Sequence, residues 1–113
     1  DYDKMTLWIT DELSKKQFAS AVESLDMRYA NWYGNAGRYE ESDKIAEEGI
    51  GIEVECERMH CLNTLLYCRA WNDGERGSVS ESDKELCRCA YEIAKLKKQN
   101  ARMELYCKWL EKQ

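Results

Sequence analysis

The chain has 113 residues, a net charge of −5, no proline and six cysteines. That length sets one domain over residues 1–113, large enough to bury a usable core. The acidity argues against nucleic acid as a primary partner. The lack of an apolar run near the roughly 20 residues that span a bilayer argues against membrane insertion.

Apolar residues recur at helical spacing along the chain, and strand signals are weak. Met5, Trp8, Ile9 and Leu13 make one short helical face. Ser14-Lys15-Lys16-Gln17 fits a capping box and predicts a helix start. Phe18, Val22, Leu25, Tyr29 and Trp32 then hold one stripe, with Gly34 as the stop and Asn35-Ala36-Gly37 as a turn. On this reading Trp32 belongs to the core. Arg38 to Glu48 reads as an amphipathic helix, and Gly49-Ile50-Gly51-Ile52 as a connection.

The next predicted helix runs from about Glu53 to Trp71, with Cys61, Leu65 and Cys68 on one face. Asn72 to Gly77 reads as a loop. Ser82-Asp83-Lys84-Glu85 fits a second capping box, opening a helix whose predicted inner face is Leu86, Cys89, Ala90, Ile93 and Leu96. The pattern falters at Gln99-Asn100 and resumes with Met103, Tyr106, Cys107 and Leu110. The fold class is therefore all-α, a single disulfide-stabilised helical domain of about five or six helices.

The cysteines Cys56, Cys61, Cys68, Cys87, Cys89 and Cys107 all follow position 55. An even, dense set in a short chain without Cys-x-x-Cys predicts three disulfides, hence secretion into an oxidising compartment. The start at Asp1-Tyr2-Asp3 reads as a mature chain after signal-peptide removal. Cys87 and Cys89 diverge by about 200° on a helix, so they are expected to reach different partners. Hairpin geometry predicts that Cys68 meets Cys87 or Cys89 and that Cys107 returns to Cys56 or Cys61. Fifteen pairings remain open.

Charge is uneven. Eight acids and one base lie between Glu40 and Glu57, and eight bases and four acids between Lys84 and Lys112. Such asymmetry fits either solvated helix faces or steering onto a charged protein surface. His60 is the only histidine, and its neighbour Cys61 is better used as half of a bridge, so no catalytic residue is assigned. The string Cys56 to Cys61 lacks the His-Asp pair of secreted phospholipases A2. Asn72-Asp73-Gly74-Glu75 lacks the alternating ligands of a calcium loop. No metal, cofactor or enzyme activity is expected.

The aromatics point to binding. Asn31 to Tyr39 holds Trp32, Tyr33, Arg38 and Tyr39, and Tyr, Trp and Arg dominate interface hot spots. Tyr33, Arg38 and Tyr39 are the first candidate binding residues. Asn72, Asp73, Arg76 and Val79 on the following loop are the second set. An apolar cavity lined by Phe18, Val22, Leu65 and Ile93 is the competing reading, that of a small-ligand carrier; a helical cytokine-like signal is a third.

The cysteine gaps of 4, 6, 18, 1 and 17 do not fit insect odorant-binding proteins. Asp1-Tyr2-Asp3-Lys4, the Trp32-Tyr33-Gly34 block and the tail from Cys87-Arg88-Cys89 to Cys107-Lys108-Trp109 resemble the anophensin and albicin family of anopheline mosquito salivary proteins. The resemblance implies a secreted helical protein that blocks host defence by binding a host plasma protein complex. The targets it implies are the alternative-pathway convertase of complement or the contact (kallikrein–kinin) system. It transfers no binding residue. The expected protein is a monomeric, non-enzymatic complement inhibitor.

Overall fold

The computed structural model describes residues 19–113, with side chains from residue 24 onward. Among them are five helices and no strand: α1 Ala19–Asn35, α2 Tyr39–Glu55, α3 Leu62–Glu75, α4 Glu81–Leu96 and α5 Asn100–Lys112. The expected all-α class holds for these residues. The face at Met5 to Leu13, the capping box at Ser14 and the position of Phe18 lie outside the described residues, as does the Val22 side chain.

Every connection between these helices is built the same way. The N–H two residues past each C-cap returns to the carbonyl three residues before it: Arg38 to Tyr33 at 2.9 Å, Arg58 to Glu53 at 2.8 Å, Ser78 to Asp73 at 3.0 Å and Gln99 to Ala94 at 2.9 Å. The residue between takes positive φ, at Gly37 (80°), Glu57 (54°), Gly77 (74°) and Lys98 (57°). These are Schellman caps, which satisfy the last carbonyls of a helix and turn the chain sharply. Each delivers the chain into the next helix within a few residues.

Consecutive helices pack on one another, and α1 also reaches α3. Helix α3 is central and divides two clusters. Ala30, Ile45, Ala46, Cys61, Leu65 and Cys68 fill the α1–α2–α3 side. Leu66, Ala70, Cys87, Ala90, Ile93, Tyr106 and their neighbours fill the α3–α4–α5 side. Leu65 and Ile93 thus lie in different clusters and do not line one cavity.

Three helix readings need correction. Gly49-Ile50-Gly51-Ile52 is helical, inside α2. A Cβ on Gly49 would stand 2.8 Å from Leu65 Cδ1 and 3.1 Å from Asp26 Cβ, so this glycine permits close helix packing. The break falls instead at Cys56–Cys61, and the helix expected from Glu53 begins at Leu62. The capping box is formed by Ser80 and Asp83, not by Ser82 and Glu85. Asp83 N donates to Ser80 Oγ at 3.2 Å, and Ser80 N donates to Asp83 Oδ2 at 3.0 Å.

The inner face of α4 is rotated from the predicted one. Cys87, Ala90, Ile93 and Ala94 are buried, while Cys89 is exposed and Leu96 is 73 % exposed. In α5, Tyr106 and Trp109 are the buried anchors.

The disulfide framework is also corrected: all six cysteines are free thiols. Cys68 Sγ lies 3.4 Å from Ser42 Oγ, on the α2 side of α3. Cys87 is buried in the other cluster, and exposed Cys89 lies outside both. The two faces of α3 separate the groups that hairpin reasoning had paired.

Candidate binding surface

The hairpin caps bring the C-terminal ends of α1 and α3 and the N-terminal ends of α2 and α4 to one end of the bundle. This joins the two candidate segments, 33–39 and 72–79, which sequence alone could not connect.

The first half is an aromatic ladder on the last turns of α1. Tyr29 and Trp32 have ring centroids 5.5 Å apart, and Trp32 stacks on Tyr33 at 5.9 Å with the planes 13° apart. Arg38 places its guanidinium 4.4 Å from the Tyr33 ring centroid. Its Nε donates to Glu41 Oε1 at 2.7 Å. That hydrogen bond raises the Arg38 pKa, so the cation is fixed.

Trp32 is 60 % exposed, which corrects its assignment to the core. The line that α1 turns inward is Asp26, Ala30 and Gly34, each four residues from the next and all buried. The small residues on this line let α2 and α3 approach. A Cβ on Gly34 would sit 2.9 Å from Asn72 Oδ1 and 3.6 Å from Trp71 Cζ3. With those residues inside, the tryptophan is carried round to solvent. Clefts of about 320 Å³ (Leu25, Arg28, Tyr29) and about 250 Å³ (Tyr33, Ala36, Arg38) flank it.

The second half joins α2 to α3. Tyr39 meets Trp71 edge-on at 6.4 Å, and the Arg76 guanidinium lies 5.7 Å from the Tyr39 ring centroid. Arg76 pairs with Asp43 and Asp73. The hydrogen bond that Arg76 donates to Asp43 is the main cause raising its pKa. Arg69 also pairs with Asp43, at 3.3 Å, and with Glu47. The result is a held array of charges and rings on a helical frame, the kind of pre-organised surface that loses little entropy on binding.

Two candidates leave the surface. Asn72 is fully buried. Its Nδ2 donates to Ser42 Oγ at 2.9 Å and to Asp43 Oδ1 at 2.8 Å, while Ser42 Oγ donates to the Ala30 carbonyl at 2.6 Å. Its role is to tie α1, α2 and α3 beneath the surface. Val79 packs against the α3–α4–α5 cluster. Tyr33 and Tyr39 are half-buried with their rings engaged, and Arg38 and Arg76 are exposed.

Asp73 and Asp83 form a carboxyl pair where α3 meets α4. Burial raises the Asp83 pKa, and its hydrogen bond to Asp73 raises it further. For Asp73, burial works upward but is outweighed by the hydrogen bonds from Asp83 and Arg76, so its carboxyl sits below the usual range.

Sequence reasoning missed Tyr29 as a member of this surface and placed Trp32 in the core. The Ala30–Gly34 spacing was the available signal for Trp32: two small residues at i and i+4 mark a close helix approach. His60 is exposed in the 56–61 connection, where its carbonyl and that of Met59 accept from Lys97 Nζ at 2.8 and 2.9 Å. Among the described residues no group of three or more His, Cys, Asp or Glu is placed to hold a metal, and no helix is long and apolar enough to cross a membrane. No protein-family model, curated protein or solved structure matches the chain.

Proposed function

We propose that the protein is a secreted, non-enzymatic inhibitor that occupies a surface on a host plasma protein complex, first of all the alternative-pathway convertase of complement. The observation that carries the binding reading is the exposed Trp32, stacked on Tyr33 and followed by the Arg38 cation on the same ring. A tryptophan held open to water beside an arginine is the composition of an interface anchor. Tyr39, Asp73 and Arg76 extend the surface. The acids of α2 beside it, Glu40, Glu41 and Glu47, are exposed and favour a partner with a basic rim. The choice of target rests on the resemblance of the Trp32-Tyr33-Gly34 block and the cysteine tail to the anophensin and albicin family.

The test is complement lysis with the alternative and classical routes run separately. Inhibition of the alternative route alone is the expected result. Inhibition of neither, with binding to contact-system factors instead, would move the target while keeping the mode. A native mass spectrum showing a retained apolar ligand would replace the inhibitor with a carrier.

A further inference from the structure

The two faces of α3 leave Cys87 one thiol neighbour. Cys87 Sγ is fully buried and donates to the Tyr106 carbonyl at 3.5 Å. That carbonyl belongs to the peptide bond leading into Cys107. Helices α4 and α5 are joined by the short Lys97–Gln99 turn and pack as a hairpin. Cys87 precedes Lys97 by ten residues and Cys107 follows Gln99 by eight. At about 1.5 Å rise per residue they stand about 15 and 12 Å from the turn, at nearly the same height.

The other cysteines are placed elsewhere, Cys56 at the C-terminal cap of α2, a helix that packs chiefly on α1 and α3. Cys61 and Cys68 belong to the cluster on the opposite side of α3. They are seven residues apart, about 10 Å along the helix axis, which exceeds the Cα separation a disulfide tolerates. Cys89 is exposed, about 200° round α4 from Cys87.

We propose that Cys87 and Cys107 are a redox pair that closes to one disulfide across the α4–α5 hairpin on exchange with a small disulfide such as oxidised glutathione. This inference is independent of the binding reading. Cys107 is half-exposed, so its thiolate attacks the reagent first. One glutathione leaves as its thiolate, and Cys107 is left as a mixed disulfide. Cys87, once deprotonated, attacks the Cys107 sulfur and releases the second glutathione. The dithiol is oxidised by two electrons, and one oxidised glutathione becomes two reduced ones. Burial, followed by the nearby Cys107, pushes the Cys87 thiol up to about 11. The second step is therefore the slow one, and its rate rises about tenfold per pH unit between pH 7 and 9. The bridge pins α5, which packs chiefly on α4, to the rest of the bundle.

The experiment incubates the reduced chain with oxidised glutathione, blocks remaining thiols, digests with trypsin and maps linked peptides by mass spectrometry. Cleavage after Arg88 separates Cys87 from Cys89, so a peptide 85–88 joined to 103–108 identifies the pair without ambiguity. That species is expected as the main linked product. The oxidised chain is expected to melt at least about 5 °C higher. Cys107→Ser, at a half-exposed position that leaves the core intact, should lose the linked species and leave Cys87 blocked as a free thiol. Two outcomes would overturn the proposal: Cys107 joined mainly to Cys56, Cys61, Cys68 or Cys89, or Cys107 persisting as a glutathione adduct with no linked peptide.

Discussion

Arg76 reaches from the C-terminal cap of α3 to lie 5.7 Å from the centroid of the Tyr39 ring on the first turn of α2. The contact joins two segments 37 residues apart in sequence into one surface. Both partners are anchored from below, Arg76 by Asp43 and Asp73 and Tyr39 by Trp71. The surface is consequently a property of the folded bundle end, not of a single loop.

Trp32→Ala separates binding from folding. At 60 % exposure its truncation removes little buried area. Stability should change by no more than about 0.5 kcal/mol, as for ordinary surface substitutions. Urea midpoints of the two proteins would show this directly. A loss of about 2 kcal/mol or more would return Trp32 to the core.

Asn72→Ala has the opposite profile. It removes the two donations from Nδ2 to Ser42 and Asp43 and leaves a cavity where α1, α2 and α3 meet. A buried acceptor that loses its donor costs about 1–3 kcal/mol, and the loss should appear as a lower urea midpoint with an unchanged slope. If Asn72→Ala is as stable as the parent, the network is not structural, and Asn72 returns to the list of binding residues.

The carboxyl pair at the α3–α4 joint makes stability depend on pH in two windows. Asp83 has a raised folded pKa, so its contribution is full below the ordinary 3.8 and is lost as pH rises through the folded value. Asp73 has a lowered one, so its contribution is present above 3.8 and is lost as pH falls through the folded value. Asp83→Asn keeps an acceptor for the Ser80 N–H and a donor for Asp73, and it cannot ionise. Relative to the parent it should gain stability as pH rises from 3.8 through the folded Asp83 value and then level off, while still unfolding in acid. Denaturation midpoints across that range check the slope. A constant difference between the two proteins would show that the pair does not share a proton.

How far the sequence could be read follows the glycines. Gly37 and Gly77 occupy the positive-φ position of their caps, so a turn at each was legible, but α3 runs on through Glu75 and takes in the first four residues of the loop predicted at 72–77. Glu57 and Lys98 take the same conformation without glycine. At Gln99-Asn100 the interrupted apolar pattern marked the break. At Cys56–Cys61 nothing marked it, and the reading placed the boundary at Gly49-Gly51, where glycine serves packing.

The candidate surface was half legible for a related reason. Residue type marked Tyr33, Arg38, Tyr39 and Arg76. Burial, which moves Asn72 inside and Trp32 outside, depends on which small residues face the neighbouring helix. The cysteine count suggested bridges, but count carries no geometry. The two clusters on either side of α3 decide which thiols are neighbours.

The central claim is that the Trp32–Tyr33–Arg38 end of the bundle grips a plasma protein complex. The most direct measurement is the affinity of the parent and of the Trp32→Ala/Tyr33→Ala/Arg38→Ala variant for immobilised alternative-pathway convertase, with helicity checked by circular dichroism. The account predicts that the parent binds and that the variant, equally helical, binds at least about 30-fold more weakly, as expected for losing an anchor worth about 2 kcal/mol. Equal affinity of the two proteins, or no binding by the parent, would contradict it.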